Sequence, residues 1–251
     1  MNLFLFLIVL LLHPPFTSST DTQTPLSKPD QRTLRNATIA DAKDIAETVA
    51  AAFASTPHFQ YIYQFRNEFP TEHLKCLEEV TVSAVQHHQS EYRLQVIDNP
   101  SAYETGKSGN AVGVAVWELQ DDEDEDDDVL SVGSMLARCA HRDLNVTRTV
   151  DFNLKLIALK KRHLDSSFGS RQLYLNTLAT HPEYQGLGIG TDLVTAGLEA
   201  ARASAVNVTL LATQAGRGVY RRLGFQSVAN VSVVSVDEDQ VFEFEAMAWS
   251  T

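Results

Sequence analysis

Cysteines and long apolar runs are both scarce in this chain of 251 residues, and each scarcity excludes a class of protein. Two cysteines, Cys76 and Cys139, allow one disulfide bridge at most, so the chain is not a disulfide-rich scaffold. No run reaches the ~18 apolar residues of a spanning helix, so we expect no stable membrane span. Basic residues are also few: 20 Lys and Arg against 32 Asp and Glu give a net charge of −12. That balance argues against a broad basic surface for nucleic acid or an anionic membrane.

The apolar content of 44% is ample for a buried core, and the length favours one domain with additions. Part of the negative charge is concentrated in eight consecutive carboxylates, Asp121 to Asp128. Such a run repels itself, which predicts a solvated loop. It lacks the ligand spacing and the turn glycine of a preformed calcium loop.

Residues 1–20 resemble a secretory leader. Ten uninterrupted apolar residues run from Leu3 to Leu12, and small residues follow at positions 18–20. The basic start that is typical of such a signal is missing, because the first basic residue is Lys28. Residues 21–32 are rich in Ser, Thr, Pro and Asp, which predicts a linker. The alternative is that the leader is not functional.

Residues 33–250 have the pattern of an α/β (α+β) domain. A short strand at 33–38 precedes a helix that Asp41 is predicted to N-cap and that extends to Phe53. A second helix is predicted at 71–89, and strands at 92–98 and 111–119 form a hairpin around a turn at 106–110. An acidic insertion at about 119–171 carries its own helix, in which Phe152, Leu156, Leu159 and His163 share a face. The remaining predictions are strands at 172–179, 206–212, 225–236 and 241–249, with helices at 190–203 and 215–223.

A glycine-rich segment between a predicted strand and a predicted helix carries the chemistry: Gln185-Gly186-Leu187-Gly188-Ile189-Gly190-Thr191. Its glycines permit positive φ and close approach of a ligand to the backbone. The following helix offers unpaired N–H groups and the positive end of its dipole, a combination that binds phosphates. The segment lacks the lysine of a Walker loop, and Thr191 replaces the last glycine of a dinucleotide fingerprint.

In this context the sequence resembles the GNAT acyltransferase superfamily. The Gln185-x-x-Gly188-x-Gly190 pattern is similar to the family signature that binds the pyrophosphate of acetyl-CoA, and Tyr220-Arg221-Arg222-Leu223-Gly224-Phe225 resembles its Y-x-x-x-G-F motif. The resemblance covers about Thr33 to Trp249. It implies a mixed, mostly antiparallel sheet of about seven strands, with helices on its faces and with strands four and five splayed apart.

The resemblance also implies a function, acetyl transfer from acetyl-CoA directly to an amine of a small molecule or peptide. The expected cofactor-binding residues are Leu178, Ala179, Thr180, Gln185, Gly186, Leu187, Gly188, Ile189, Gly190 and Thr191. Backbone N–H groups near Leu178 would stabilise the developing oxyanion. Tyr220 matches the family tyrosine that protonates the leaving thiolate; the alternative is an aromatic ring that only packs against CoA.

No general base can be assigned from the sequence. Strand four carries no acid, Asn176 cannot take a proton, Glu183 lies in the loop, and Glu118 ends an earlier strand. His181 is interpreted as a loop-packing side chain and Cys139 as a packed thiol. His87 and His88 are adjacent on a helix and point apart, and no His, Cys and Asp cluster has metal-ligand spacing, so no metal is expected.

The amine acceptor is expected to bind near the first helices and the insertion, which has the length of a lid. Phe59, Tyr61, Tyr63 and Phe65 alternate there, a stripe that suits either a core or an acceptor groove. Two other functions stay open: an acyl-CoA-binding module without catalysis, and a secreted interaction protein that keeps only the fold. Localisation is undecided, since the leader suggests the secretory pathway whereas acetyl-CoA suggests the cytoplasm. The oligomeric state is also left open.

Overall fold

A computed structural model describes residues 32–87, 92–99, 111–119, 136–137, 139–169 and 171–250. The leader at 1–20, almost all of the linker at 21–32, the turn predicted at 106–110, His88 and the acidic run at 121–128 lie outside the described residues. Among the described residues, no helix combines the length and the apolar character that crossing a bilayer requires.

Seven strands of the described residues form one sheet in the order β1-β2-β3-β4-β5-β7-β6. Neighbouring strands are antiparallel, except β4 and β5, which are parallel. The mixed, mostly antiparallel α/β fold expected from the sequence is therefore confirmed. The strands are β1 (Leu34–Asn36), β2 (Tyr92–Asp98), β3 (Ala111–Leu119), β4 (Gln172–Thr180), β5 (Asn207–Ala212), β6 (Gln226–Val234) and β7 (Val241–Trp249).

Helices cover both faces of this sheet. Five of them are α1 (Ala42–Phe53), α2 (Pro57–Ile62), α3 (Pro70–His87), α4 (Val146–Lys160) and α5 (Ile189–Ser204), and α6 (Arg217–Arg222) follows β5. A π-helical segment (Lys161–Asp165) and a last turn (Ser166–Phe168) extend α4. One apolar cluster joins α1 and α3 to the face of the sheet that carries Val96, Val114 and Val116. A second cluster joins α5 and α6 to the opposite face.

Asp41 occupies the predicted N-cap position of the first helix, but its side-chain hydrogen bonds differ from those of a helix cap. Asp41 does not cap α1 with its side chain; it ends a 3₁₀ turn (Ile39–Asp41), and its carboxylate accepts hydrogen bonds from the backbone N–H and the hydroxyl of Thr38. Arg35 also binds this carboxylate, at 2.6 Å and 2.8 Å, and binds Asp98 on β2. Burial alone would raise the pKa of Asp41, but Arg35 and Thr38 hold it at about 2. The prediction missed this network because Arg35 and Asp98 come together only in the folded sheet.

Two glycines allow α5 to lie directly on the sheet. A Cβ at Gly197 would lie 2.1 Å from the Trp117 ring, and a Cβ at Gly113 would lie 2.3 Å from the Ile189 side chain. Neither position can therefore hold a larger residue without a shift of the helix. This close packing fixes the N-terminus of α5 beside the end of β4.

The aromatic stripe after the first helix belongs mainly to the core. The sequence analysis missed α2, which Pro57 begins and which carries Phe59 and Tyr61, with exposed fractions of only 6% and 3%. The Tyr61 hydroxyl accepts a hydrogen bond from the backbone N–H of Val236. The helix predicted within the insertion is α4, whose Phe152 packs against Phe242 of β7. The acceptor groove itself stays a prediction.

Candidate functional site

The central feature of the sheet is a gap between β4 and β5. Their parallel pairing covers only Gln172–Tyr174 on β4 and Asn207–Thr209 on β5. Beyond Tyr174, β4 continues to pair with β3 up to Thr180, while β5 continues to pair with β7 up to Ala212. The two strands therefore diverge, and main-chain groups of both face the space that opens between them. We call this space the β4–β5 gap.

A bulge lies at the start of the gap. Val116 pairs with Thr177 and Trp117 pairs with Leu175, so Asn176 is an extra residue without a partner on β3. Such an insertion bends a strand and changes the direction of its N–H groups. The side chain of Asn176 accepts a hydrogen bond from the Thr177 hydroxyl at 3.1 Å. The bulge thus coincides with the divergence from β5, just before Leu178, where the oxyanion donors are expected.

The glycine-rich turn closes one end of the gap. Gly186 and Gly188 have φ values of 77° and 88°, a backbone region that L side chains rarely adopt. Gly188 is the residue before α5, and no side chain caps the helix. A Cβ at Gly186 would meet no atom within 4 Å, so the backbone there is open to an approaching group. Gly190 has an ordinary φ, and its Cβ would make only van der Waals contacts with Leu178 and Thr180.

The N-terminus of α5 can bind an anion. Its first helical hydrogen bond runs from the Asp192 N–H to the Gly188 carbonyl, so the amides of residues 189–191 precede the intrahelical ladder. Asp192 would repel a phosphate, but Arg32 Nη1 lies 2.6 Å from its carboxylate. The same guanidinium would lie 3.3 Å from a Cβ at Gly188. The sequence analysis assigned Arg32 to the linker and missed this cation.

The residues predicted to bind the cofactor lie at the β4–β5 gap and the glycine-rich turn. Most of them would present main-chain groups rather than side chains to a ligand. Ala179 and Ile189 bury their side chains in the core, with exposed fractions of 2% and 1%, so only their backbone would be available to a ligand. Gln185 Nε2 donates to the Thr180 carbonyl at 3.1 Å, which ties the turn to the end of β4. Leu187 is half exposed, and a direct role for its side chain stays a prediction.

Tyr220, the predicted general acid, lies on α6 and is buried. Its ring packs edge-on against Phe225 with centroids 5.7 Å apart, and a Cβ at Gly216 would lie 2.8 Å from it. Burial raises the pKa of Tyr220 above its ordinary value. The phenol therefore stays protonated at neutral pH and can donate a proton.

A buried acid on β7 holds α6 in place. Glu245 has an exposed fraction of 1% and binds Arg221 at 2.8 Å and Arg217 at 3.3 Å. Burial alone would raise the pKa of Glu245, but Arg221 holds it below its usual range. Because both arginines flank Tyr220 on α6, this pair of contacts positions the phenol.

Another acid and phenol meet at the start of the gap. Glu118 on β3 pairs directly with Tyr174 on β4, so both side chains lie on the same face of the sheet. Both are buried, at 6% and 9% exposed. Burial raises the pKa of Tyr174, as do the nearby Glu118, Asp165 and Tyr220, whereas a hydrogen bond from the Leu211 backbone lowers it. The Tyr174 phenol thus contacts the backbone of β5 across the divergence. The sequence analysis did not single out Tyr174.

Other candidates from the sequence have different positions. Glu183 is exposed in a 3₁₀ turn (Pro182–Tyr184), and the His181 ring packs edge-on against Tyr184. The interpretation of Cys139 as a packed thiol is wrong, because it forms a disulfide with Cys76 on α3.

The folded chain also brings together possible metal ligands that have no metal-ligand spacing along the sequence. Ligand atoms of Cys76, His141 and Asp143 lie within 4.8 Å of one another. Spacing along the chain could not indicate this group, because these residues come from separate segments. Burial alone would raise the pKa of Asp143, but His141 and His73 hold it at about 2.

Comparisons with known proteins agree with this geometry. The family model for the acetyltransferase (GNAT) domain matches residues 156–227, which include β4, the glycine-rich turn, α5, β5 and α6. The resemblance to the GNAT superfamily drawn from the two motifs is confirmed. A curated protein from the fungus Stachybotrys chartarum, named acetyltransferase, is 24% identical over 243 residues, which span 92% of this chain and 89% of the relative.

Solved structures share the fold at low sequence identity. The mosquito arylalkylamine N-acetyltransferase like 5b matches with a TM-score of 0.59 and 12% identity, over 88% of this chain and 100% of its own. The PaiA N-acetyltransferase of Thermoplasma acidophilum, solved in complex with coenzyme A, matches with a TM-score of 0.51 and 12% identity. That match covers 88% of this chain and 99% of the archaeal protein. These likenesses extend the fold assignment beyond residues 156–227.

Proposed function

Because residues 156–227 match an acetyltransferase domain of the GNAT type, we propose that this chain transfers an acetyl group from acetyl-CoA to an amine of a small molecule or peptide. The observation that carries the proposal is the coincidence of the β4–β5 gap with an uncapped helix N-terminus at Gly188. The fold shared with a coenzyme A complex of another acetyltransferase supports it.

The residues present fit acetyl-CoA. The amides of 189–191 and the open backbone at Gly186 suit a pyrophosphate, with Arg32 offsetting the charge of Asp192. Main-chain groups of Leu178 and Thr180, which face the gap, suit an extended amide-containing arm as an added strand would. Acetyl-CoA supplies an activated thioester that an amine attacks directly.

In the proposed acetyl transfer, one side chain of the protein donates a proton and another accepts one. Backbone N–H groups after the Asn176 bulge stabilise the carbonyl oxygen as negative charge develops on it. Tyr220 donates its proton to the departing sulfur, since a phenol carries its proton at neutral pH and burial only raises its pKa further.

Glu118 is the proposed acceptor of the amine proton. It pairs with the last β4 residue before the gap and lies on the face that α1 and α3 cover. Tyr174 lies beside it, and the Lys160 ammonium is 5.0 Å from the Tyr174 ring. A proton can therefore pass from the amine to Glu118 directly or through the Tyr174 hydroxyl. Glu118 on β3 thus provides an acid beside β4, which carries none itself.

The test is thiol release from acetyl-CoA with a panel of arylalkylamines, polyamines and peptides, with the acetylated product identified by mass spectrometry. Turnover with at least one amine supports the proposal. Binding of CoA without turnover for any amine would leave a CoA-binding module instead.

The role of Glu118 has its own test. Glu118→Gln should lower kcat about 10²-fold at neutral pH, and by less at high pH, where more of the amine is already neutral. Glu183→Gln, an exposed acid of the turn region, is the matched control and should keep the wild-type pH profile. An unchanged profile in Glu118→Gln would rule Glu118 out as the base.

A further inference from the structure

A second group of reactive side chains lies between α3 and the segment that precedes α4. On α3, His73 and Cys76 are three residues apart and so share a face of the helix. In the facing segment, Cys139, His141 and Asp143 occur at alternate positions. We call these five residues the α3 cluster. None of them takes part in the proposed acyl transfer.

The α3 cluster is closely packed and mostly buried. Cys76, His141 and Asp143 have exposed fractions of 2%, 7% and 0%. The Cys76 sulfur, a ring nitrogen of His141 and a carboxylate oxygen of Asp143 lie within 4.8 Å of one another. The Cys139 sulfur is bonded to that of Cys76, so a fourth ligand atom adjoins the same point.

One oxygen of Asp143 is without a partner. Asp143 Oδ2 accepts a hydrogen bond from His73 Nδ1 at 2.7 Å. Asp143 Oδ1 is buried and makes no hydrogen bond to any described residue; His141 Nδ1, at 3.8 Å, is too far away. A fully buried carboxylate oxygen without a donor is unfavourable, so this atom marks a place where a cation would be stabilised.

We propose that reduction of the Cys76–Cys139 disulfide creates a Zn²⁺ site. Its ligands are the two thiolates, a ring nitrogen of His141 and Asp143 Oδ1. Sulfur, imidazole and carboxylate in a set of four are the ligands that tetrahedral zinc takes. His73 would be the outer partner that orients Asp143 through the hydrogen bond already present.

Reduction of the disulfide and binding of zinc are balanced in electrons and protons. A dithiol reductant gives two electrons and two protons to the Cys76–Cys139 bond and becomes a cyclic disulfide, while the protein gains two thiols. Zn²⁺ then binds, and the two thiol protons pass to solvent. Cys139 and Ala140 line an open groove together with Lys75 and Glu79, so a small reductant can reach the bond.

The experiment compares oxidised and reduced full-length protein after incubation with ZnCl₂ and desalting, with zinc measured by elemental analysis. The reduced protein should retain about one zinc ion per chain, and the oxidised protein roughly a tenth of that or less. Replacement of zinc by Co²⁺ should give the thiolate-to-cobalt charge-transfer band in the reduced protein. This spectrum needs no variant and therefore does not depend on whether a substitution folds.

Variants assign the ligands. Cys139→Ser and Asp143→Asn should each weaken zinc retention at least about tenfold, whereas His163→Ala, a histidine outside the cluster, should retain zinc as the wild type does. The proposal fails if the disulfide resists dithiol in the folded protein. It also fails if the reduced protein holds no zinc, or if oxidised and reduced proteins hold it equally.

Discussion

The β4–β5 gap and the α3 cluster are built in opposite ways. The gap is a place where two strands lose their pairing, and its proposed contacts with acyl-CoA come from backbone amides, with Gly186 and Gly188 keeping the approach open. The α3 cluster is mostly buried, and it consists of side chains joined by a disulfide bond and by a hydrogen bond of 2.7 Å. A main-chain site depends on backbone shape, whereas a side-chain cluster depends on the identity of each member.

This difference means that few side-chain substitutions at the gap should strongly lower turnover. Tyr220 is the first exception, because its proposed role is to supply a proton that no backbone group can supply. Tyr220→Phe keeps the ring contact with Phe225 but removes the hydroxyl, so kcat should fall by about 10²-fold or more with little change in Tm. Tyr61→Phe, which removes a hydroxyl bonded to Val236, is the matched control and should keep kcat while losing about 1 kcal/mol of stability. Equal kcat values for the two variants would remove Tyr220 from the chemistry.

The second prediction tests whether the α3 cluster and the β4–β5 gap act independently. The double variant Cys76→Ala and Cys139→Ala loses a covalent link across a sequence separation of 63 residues. Under oxidising conditions it should lose about 2–5 kcal/mol of unfolding free energy in urea titrations. Turnover of the folded fraction should stay near that of the wild type, because the gap uses no atom of the α3 cluster. A large fall in kcat without loss of stability would show that the two regions are coupled.

The third prediction tests the backbone of the turn. Gly188→Ala forces an L residue into φ near 88°, which costs about 1–2 kcal/mol and shifts the amides at the start of α5. The KM for acetyl-CoA should rise about tenfold. Gly190→Ala is the matched comparison, since its added methyl meets Leu178 and Thr180 only at 3.6 Å and 3.8 Å. It should lose less stability than Gly188→Ala in thermal unfolding; the reverse order would contradict this account of the turn.

The smallest expected effect belongs to a partly exposed cation. Arg32→Ala removes the guanidinium beside Asp192 and Gly188, so the KM for acetyl-CoA should rise about two- to fivefold, and less at high salt. Lys43→Ala, which breaks an exposed pair with Glu47 on α1, should leave that KM unchanged. A salt-independent effect of Arg32→Ala would indicate a packing role instead.

The two regions also differ in how well the sequence predicts them. The turn could be predicted because a strand, alternate glycines and a helix start lie within a few consecutive residues, and each acts through local backbone geometry. The family resemblance also predicted that strands four and five splay apart, and the separation of β4 and β5 beyond their short parallel pairing confirms it.

The α3 cluster could not be predicted in the same way. Its members come from α3 and from a segment about 70 residues away, and no local pattern joins them. The Glu118–Tyr174 pair was missed for a similar reason, because its register depends on the bulge at Asn176. Arg32 escaped notice since its neighbours in sequence read as a linker, while its partner Asp192 is 160 residues away.

Calorimetric titration of the full-length chain with coenzyme A tests the central proposal most directly, since it needs neither the acceptor nor catalysis. We predict a saturable heat that ends near one CoA per chain and an affinity about tenfold weaker in Gly188→Ala. Absence of heat with both coenzyme A and acetyl-CoA would contradict the assignment of the gap and the turn as an acyl-CoA site.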